Sequence, residues 1–210
     1  LEHVTMVHDE FVVIALHDAY HQVRRHALDG TYLGEVVLPS LGSVGALTGR
    51  REDDELFFTF SSFTVPPTVY RFDCGTADST VIAQPTLAFD SEPYVVEQDF
   101  AISKDGTQVP FFLVHRKDWE KDGQNPTLLY GYGGFNIATT PTFQVARLVW
   151  LEMGGVLAVA NLRGGGEYGE AWHKAGTVHQ KQNVFDDFIA CAEHLIADKI
   201  TSTPKLAIEG

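Results

Sequence analysis

Tyr132 is the residue whose type and setting best suit it to chemistry, standing between glycines in Leu128-Leu129-Tyr130-Gly131-Tyr132-Gly133-Gly134-Phe135. The apolar run behind Pro126 reads as the end of a buried strand, and three glycines within four positions then turn the chain sharply. A phenolic hydroxyl fixed on such a turn can donate a hydrogen bond to an oxyanion forming on a carbonyl. Taken alone, the octapeptide fits packing aromatics with solvated hydroxyls at Tyr130 and Tyr132 better. The surrounding elements have to decide between the two.

Two other groups invite a chemical reading. Gly164-Gly165-Gly166-Glu167-Tyr168-Gly169 follows a buried strand and carries the letters of a dinucleotide fingerprint. Such a loop should open directly into an amphipathic helix, with an acidic residue about 20 positions on at the end of the next strand. Here that distance lands on Asp186 and Asp187, inside a helical pattern, and Tyr168 to Gly176 has no small apolar face to lie on a sheet. Histidines at 3, 8, 17, 21 and 26 suggest a metal, but the segment alternates like strand and turn and offers no Cys or carboxylate in ligand spacing. The expectation is no cofactor and no metal.

The elements that must position Tyr132 fall into two patterns. From Asp9 to Pro85 the chain reads as short strands at 11–16, 32–38, 56–60 and 68–72, with Asp29-Gly30 as a hairpin turn. The stretch from Asp9 to Gly30 aligns with that from Asp54 to Gly75 at an offset of about 44 to 45 residues, close to one propeller blade. That gives one complete four-stranded blade, roughly Gly42 to Pro85, and most of its predecessor, with a sandwich as the alternative. Beyond Pro85 a hairpin, Val95 to Ser103 and Val109 to His115, opens a new sheet. The strand at Leu128 follows, then a helix from about Phe143 to Met153 ended by Gly154-Gly155, and a strand covered on both faces at Val156 to Asn161. A long helix comes next, its apolar face read as Val184, Phe185, Phe188, Ile189, Ala192, Leu195 and Ile196, with Asp186 and Asp187 in its first turn. Leu206 to Ile208 begins another buried strand. Alternating strands and helices predict a right-handed, mostly parallel sheet with helices on both faces.

Composition narrows the function. In 210 residues the formal net charge is -13 and no basic cluster stands out, which argues against a nucleic-acid surface. No apolar run is long enough to span a bilayer, and the first residues are unlike a signal peptide. Cys74 and Cys191 fall in differently patterned regions, so no disulfide framework is expected and a cytoplasmic setting follows. The sequence begins without Met, which suggests a piece of a longer chain.

Four blocks then occur in order: Leu129 to Asn136, Gly154 to Asn161, Arg163 to Glu170, and Lys181-Gln182-Asn183 leading to Phe185-Asp186-Asp187-Phe188. With Gly42-Ser43-Val44-Gly45 and Ser61-Ser62-Phe63 they resemble the prolyl oligopeptidase family of serine peptidases along nearly the whole chain. Branches of that family that cleave after basic residues share the Arg-Gly-Gly-Gly-Glu block but usually lack Gly-Gly-Phe-Asn after the tyrosine, so prolyl specificity is preferred. The resemblance implies an α/β-hydrolase domain capped by a seven-bladed β-propeller, with residues 1–86 as the last blades and 87–210 as the first half of the contiguous hydrolase region. It also implies that Tyr132 stabilises the oxyanion and that Phe135 lines the substrate pocket receiving proline, an aromatic wall suited to a compact apolar ring. The implied substrates are short proline-containing peptides, cleaved on the carboxyl side of proline by a monomer.

The family places its nucleophile in a Gly-x-Ser-x-Gly elbow directly after the strand that reads here Leu206-Ala207-Ile208-Glu209-Gly210. By that likeness the serine and its acid and base partners lie beyond Gly210, and neither Ser61, Ser62 nor Ser103 substitutes for it. The 210 residues alone are expected to be inactive and, with open sheet edges, aggregation-prone. A non-catalytic propeller and hydrolase-like binding protein is the competing class, distinguished by whether a glycine-flanked serine follows.

Overall fold

Left-handed backbone at two-residue turns is what folds the first part of the chain into hairpins. The computed structural model describes residues Leu1–Gly210, divided into one unit of Leu1–Phe89 with Thr140–Phe143 and another of Asp90–Thr139 with Gln144–Gly210. In the first unit β1 (His3–Val7), β2 (Glu10–His17), β3 (Tyr20–Ala27) and β4 (Tyr32–Val36) form one antiparallel meander. A second meander follows from β5 (Ser43–Thr48), β6 (Glu55–Ser61), β7 (Thr68–Asp73) and β8 (Asp78–Ala83). Both sheets therefore have four strands, so the first is complete where the repeat predicted only most of a blade. The signal was faint because His8-Asp9 and Asp18-Ala19 make their turns at positive φ without any glycine. At Asp29-Gly30 only Gly30 is left-handed, and Asp29 instead accepts a hydrogen bond from Thr31 N at 2.9 Å.

Period-two alternation sends Val12, Ile14, Leu56, Phe58 and Phe60 into a core shared by the two meanders. One charged pair enters that layer. Arg25 donates to both carboxylate oxygens of Glu10, at 2.8 and 2.9 Å, and to Cys74 O at 2.7 Å, while its guanidinium lies 5.1 Å from the centre of the Phe72 ring.

The second unit contains β9 (Tyr94–Ile102), β10 (Gln108–Arg116), β11 (Thr127–Gly131), β12 (Val156–Ala160) and β13 (Leu206–Glu209) in the order β13-β11-β12-β10-β9. Only the pairs β11 with β12 and β11 with β13 are parallel; β10 runs antiparallel to both β9 and β12. The expected mostly parallel sheet is thus mixed, because the hairpin that opens it supplies two of its five strands.

Helix α1 (Val145–Glu152) joins β11 to β12, and α3 (Gln182–Ala197) lies between β12 and β13. These crossovers run in opposite directions from β12 and β11, so the right-handed rule places the two helices on opposite faces. Burial agrees: Phe111, Leu113, Leu129 and Ala158 join α3 in one core, while the alternate residues Phe112, Val114, Leu157 and Val159 are buried as well. The glycines after α1 end it as predicted. Gly154, at φ 85°, donates to Leu151 O and Gly155 to Trp150 O, a Schellman arrangement.

Two sequence expectations for this unit are corrected. Phe185 and Ile189 are about half exposed, because the inward face of α3 is Val184, Asp187, Ala190, Cys191 and Leu195. Asp187 is not a first-turn residue complementing the helix dipole but a fully buried one, and the helix begins early enough, at Gln182, to leave no acid in that turn. The β13 strand, the last element of the sequence, lies beside β11, with Ile208 66% accessible.

Candidate active site

Strand β11 ends at Gly131, and the turn that follows is unusually strained. Gly133, Phe135 and Asn136 all have left-handed backbone, with φ of 58°, 54° and 58°. Two of these three carry side chains, so the conformation costs of the order of 1 kcal/mol at each and persists only if neighbours hold it.

The glycines of the second Gly-rich stretch supply one such neighbour. Asn136 N donates to Gly164 O at 3.1 Å, and a Cβ on Gly166 would stand 2.6 Å from Asn136 O. A Cβ on Gly164, itself at φ 92°, would stand 2.7 Å from Gly133 O. Backbone lies against backbone, which accounts for the consecutive glycines. The loop is held in turn from its other side, where Gly164 N donates to Trp172 O at 3.0 Å and His173 Nδ1 lies 2.8 Å from Gly164 O. The helix after it, α2 (Glu170–Lys174), is one short turn with no buried residue.

Glu167 and Asn161 grip the far end of the turn. Thr139 N donates to Glu167 Oε1 at 2.8 Å, and Asn161 Nδ2 donates to Thr139 O at 2.6 Å. Both side chains are buried, and Glu167 Oε2 has no hydrogen-bond partner. Burial therefore pushes the Glu167 carboxyl above its ordinary range, against the hydrogen bond from Thr139 N. A carboxyl with a raised folded-state pKa contributes stability that is present at low pH and lost as pH rises through that value. Glu167→Gln keeps an acceptor for Thr139 N and removes the ionisation. Its melting temperature relative to the parent is expected to improve between pH ~5 and ~8. An equal difference at both pH values would show that Glu167 is already ionised at both.

Beneath the loop is a buried ionic network. Asp187, wholly inaccessible, accepts from Arg163 Nε at 2.9 Å, from Arg163 Nη2 at 2.6 Å, from Arg163 N at 3.1 Å and from Ser103 Oγ at 2.6 Å. Arg163 also pairs with Asp105, and that guanidinium holds the Asp105 carboxyl well below the usual range. The network fixes Arg163, the residue that enters the glycine loop, to α3 and to the β9–β10 hairpin.

Tyr132 is 43% exposed and lines a largely apolar pocket of about 440 Å³ with Leu162, Val184, Phe185, Phe188, Ile208 and the last two residues of the sequence, Glu209 and Gly210. Phe135 is 81% exposed and stacks on Tyr132 with ring centres 6.3 Å apart, but it is not among the residues lining that cavity. The two predicted site residues are thus neighbours on one rigid turn. Sequence reasoning passed over Lys181, Glu167, Asn161 and the Arg163–Asp187 pair, although the first four blocks contain all of them. Asp99, His194 and Asp198 could together reach a metal ion, but His194 already pairs with both carboxylates, at 3.1 and 3.6 Å. No helix is long and apolar enough to cross a membrane.

Four-stranded propeller-type meanders followed by a mixed hydrolase sheet, with a tyrosine on the turn after a central strand, define a β-propeller and α/β-hydrolase protein. Comparison with known proteins makes this specific. The model of the prolyl oligopeptidase N-terminal β-propeller domain matches residues 1–85, and that of the prolyl oligopeptidase family matches residues 141–210. The chain belongs to the prolyl oligopeptidase family. It is 42% identical over 200 residues to a prolyl endopeptidase of Elizabethkingia miricola, covering 95% of this chain and 28% of that protein. It is 41% identical over 209 residues to a prolyl oligopeptidase of Omphalotus olearius, covering 96% and 28%. Among solved structures, one from a study of two prolyl endopeptidases superposes with a TM-score of 0.92 at 51% identity, over all of this chain and 31% of that one. The ligand-free prolyl oligopeptidase B of Galerina marginata gives 0.91 at 33% identity, over 99% and 30%. The chain spans about 28% of the length of these curated relatives.

Proposed function

We propose that these residues form part of a serine-type oligopeptidase that hydrolyses short peptides on the carboxyl side of proline. In this reading residues 1–86 end the propeller and residues 87–210 begin the hydrolase domain. Tyr132 donates its hydroxyl to the oxyanion of the tetrahedral intermediate, and Phe135 forms one wall of the proline pocket. The serine nucleophile and its acid and base partners come from residues outside this chain, and the protein acts as a monomer in the cytoplasm.

The observation that carries the reading is a tyrosine on a tightly clamped turn, half open and facing an apolar cavity, in a chain of this family. A fixed donor beside a largely apolar pocket can meet a developing negative charge without reorganising. The test is hydrolysis of Gly-Pro and Gly-Ala amides by the full-length protein. Preference for the prolyl substrate supports the reading; absence of cleavage of either leaves a binding protein instead. Phe135→Ala is expected to raise KM for the prolyl amide ~10-fold, as loss of apolar contact with the ring should, while the thermal midpoint stays put. An unchanged KM removes Phe135 from the pocket.

A further inference from the structure

Lys181 stands immediately before α3, 48 positions along the chain from the carbonyl it contacts. Its Nζ donates to Gly133 O at 2.9 Å, and its ammonium lies 6.0 Å from the centre of the Phe185 ring, which itself lines the cavity beside Tyr132. The other hydrogen bonds described for the turn hold its later part: Gly164 O takes Asn136 N, and Glu167 and Asn161 take Thr139. Gly133 is the residue between Tyr132 and the start of that later part, and it is left-handed. Packing against Val184, Leu162 and the Gly164 backbone confines Gly133, and the hydrogen bond from Lys181 fixes the direction of its carbonyl within that space. Rotation there would swing the Tyr132 ring away from the stacked Phe135 ring.

We propose that Lys181 is a positioning residue that, by holding the Gly133 carbonyl, sets where the Tyr132 hydroxyl stands in the cavity. The inference rests on the oxyanion role proposed for Tyr132 and adds the group that keeps it in place. A charge-assisted hydrogen bond to a carbonyl suits this task, because it is directional and stronger than a neutral one. Lys181 touches neither substrate nor the reacting atoms; it acts through the turn.

The experiment is a double-mutant cycle in the full-length protein, read as kcat and KM on a Gly-Pro amide. Lys181→Met keeps an unbranched side chain, one heavy atom shorter, and loses the donor. It is expected to lower kcat ~10-fold with KM changed less than ~2-fold, since misplacing an aligned group by even an ångström costs rate rather than affinity. In the Tyr132→Phe background the same substitution should lower kcat less than ~2-fold, because no hydroxyl remains to be positioned. Lys181→Arg, which restores a cationic donor, should recover most of the lost kcat. A thermal midpoint matched to the parent in every variant separates positioning from folding. Equal losses from Lys181→Met in both backgrounds, or none in either while Tyr132→Phe stays impaired, overturn the proposal and leave the peptidase reading intact. An unimpaired Tyr132→Phe enzyme overturns both.

Discussion

Tyr132→Phe in the full-length protein is expected to reduce kcat on a Gly-Pro amide by ~10²-fold, with KM changed little. The substitution removes one oxygen and leaves the ring, so its stacking on Phe135 and its place along the cavity wall survive. What disappears is a donor whose partner acquires full negative charge only in the transition state. An interaction made chiefly there lowers kcat and kcat/KM together, whereas loss of a ground-state contact raises KM alone. Removing one oxyanion donor in other serine peptidases costs ~10²- to 10³-fold, and the partial exposure of Tyr132 places it at the lower end. Steady-state kinetics at saturating substrate provide the check. Full turnover by the variant would withdraw Tyr132 from catalysis and leave it as a packing residue.

Asp187→Ala is expected to destabilise the full-length protein by ~3–5 kcal/mol. Asp187 is completely buried and accepts five hydrogen bonds from Arg163 and Ser103, at 2.6 to 3.1 Å. Deleting it leaves the buried guanidinium with Asp105 as its remaining carboxylate, and Asp105 is half exposed. The cost is the desolvated charge left behind more than the attraction lost. The double variant Asp187→Leu with Arg163→Met should therefore recover most of the loss, an outcome that a simple sum of two damaging substitutions forbids. Urea unfolding midpoints of the two single variants and the double variant decide it. Because Arg163 leads into the glycine loop that supports Asn136, Asp187→Ala should also lower kcat in the protein that remains folded.

Legibility in the sequence divided along a physical line. The strand and turn carrying Tyr132 could be read from Pro126, the apolar run and Gly131-Tyr132-Gly133-Gly134, and the end of α1 from Gly154-Gly155, because a turn or cap is specified by residues next to one another. The face of α3 was misread for the same reason. Phe185 and Ile189 are apolar and correctly spaced, yet the inward stripe includes Asp187, whose burial is acceptable only because Arg163 meets it. Helical periodicity has no means of scoring a charge that is neutralised by another element.

By itself the sequence determined the two-part organisation, the family likeness and the turn that presents Tyr132 and Phe135. Those features depend on glycine placement, alternation and residues adjacent along the chain. Only the tertiary structure decided what holds that turn: the backbone of Gly164 to Gly166 against Gly133 and Asn136, Lys181 on the Gly133 carbonyl, and Glu167 with Asn161 on Thr139. It also joined Ser103 to Asp187 across 84 positions. Hydrogen bonds and ion pairs at such separations are made by the packing of one element on another, and their partners carry no local pattern by which either could announce the other.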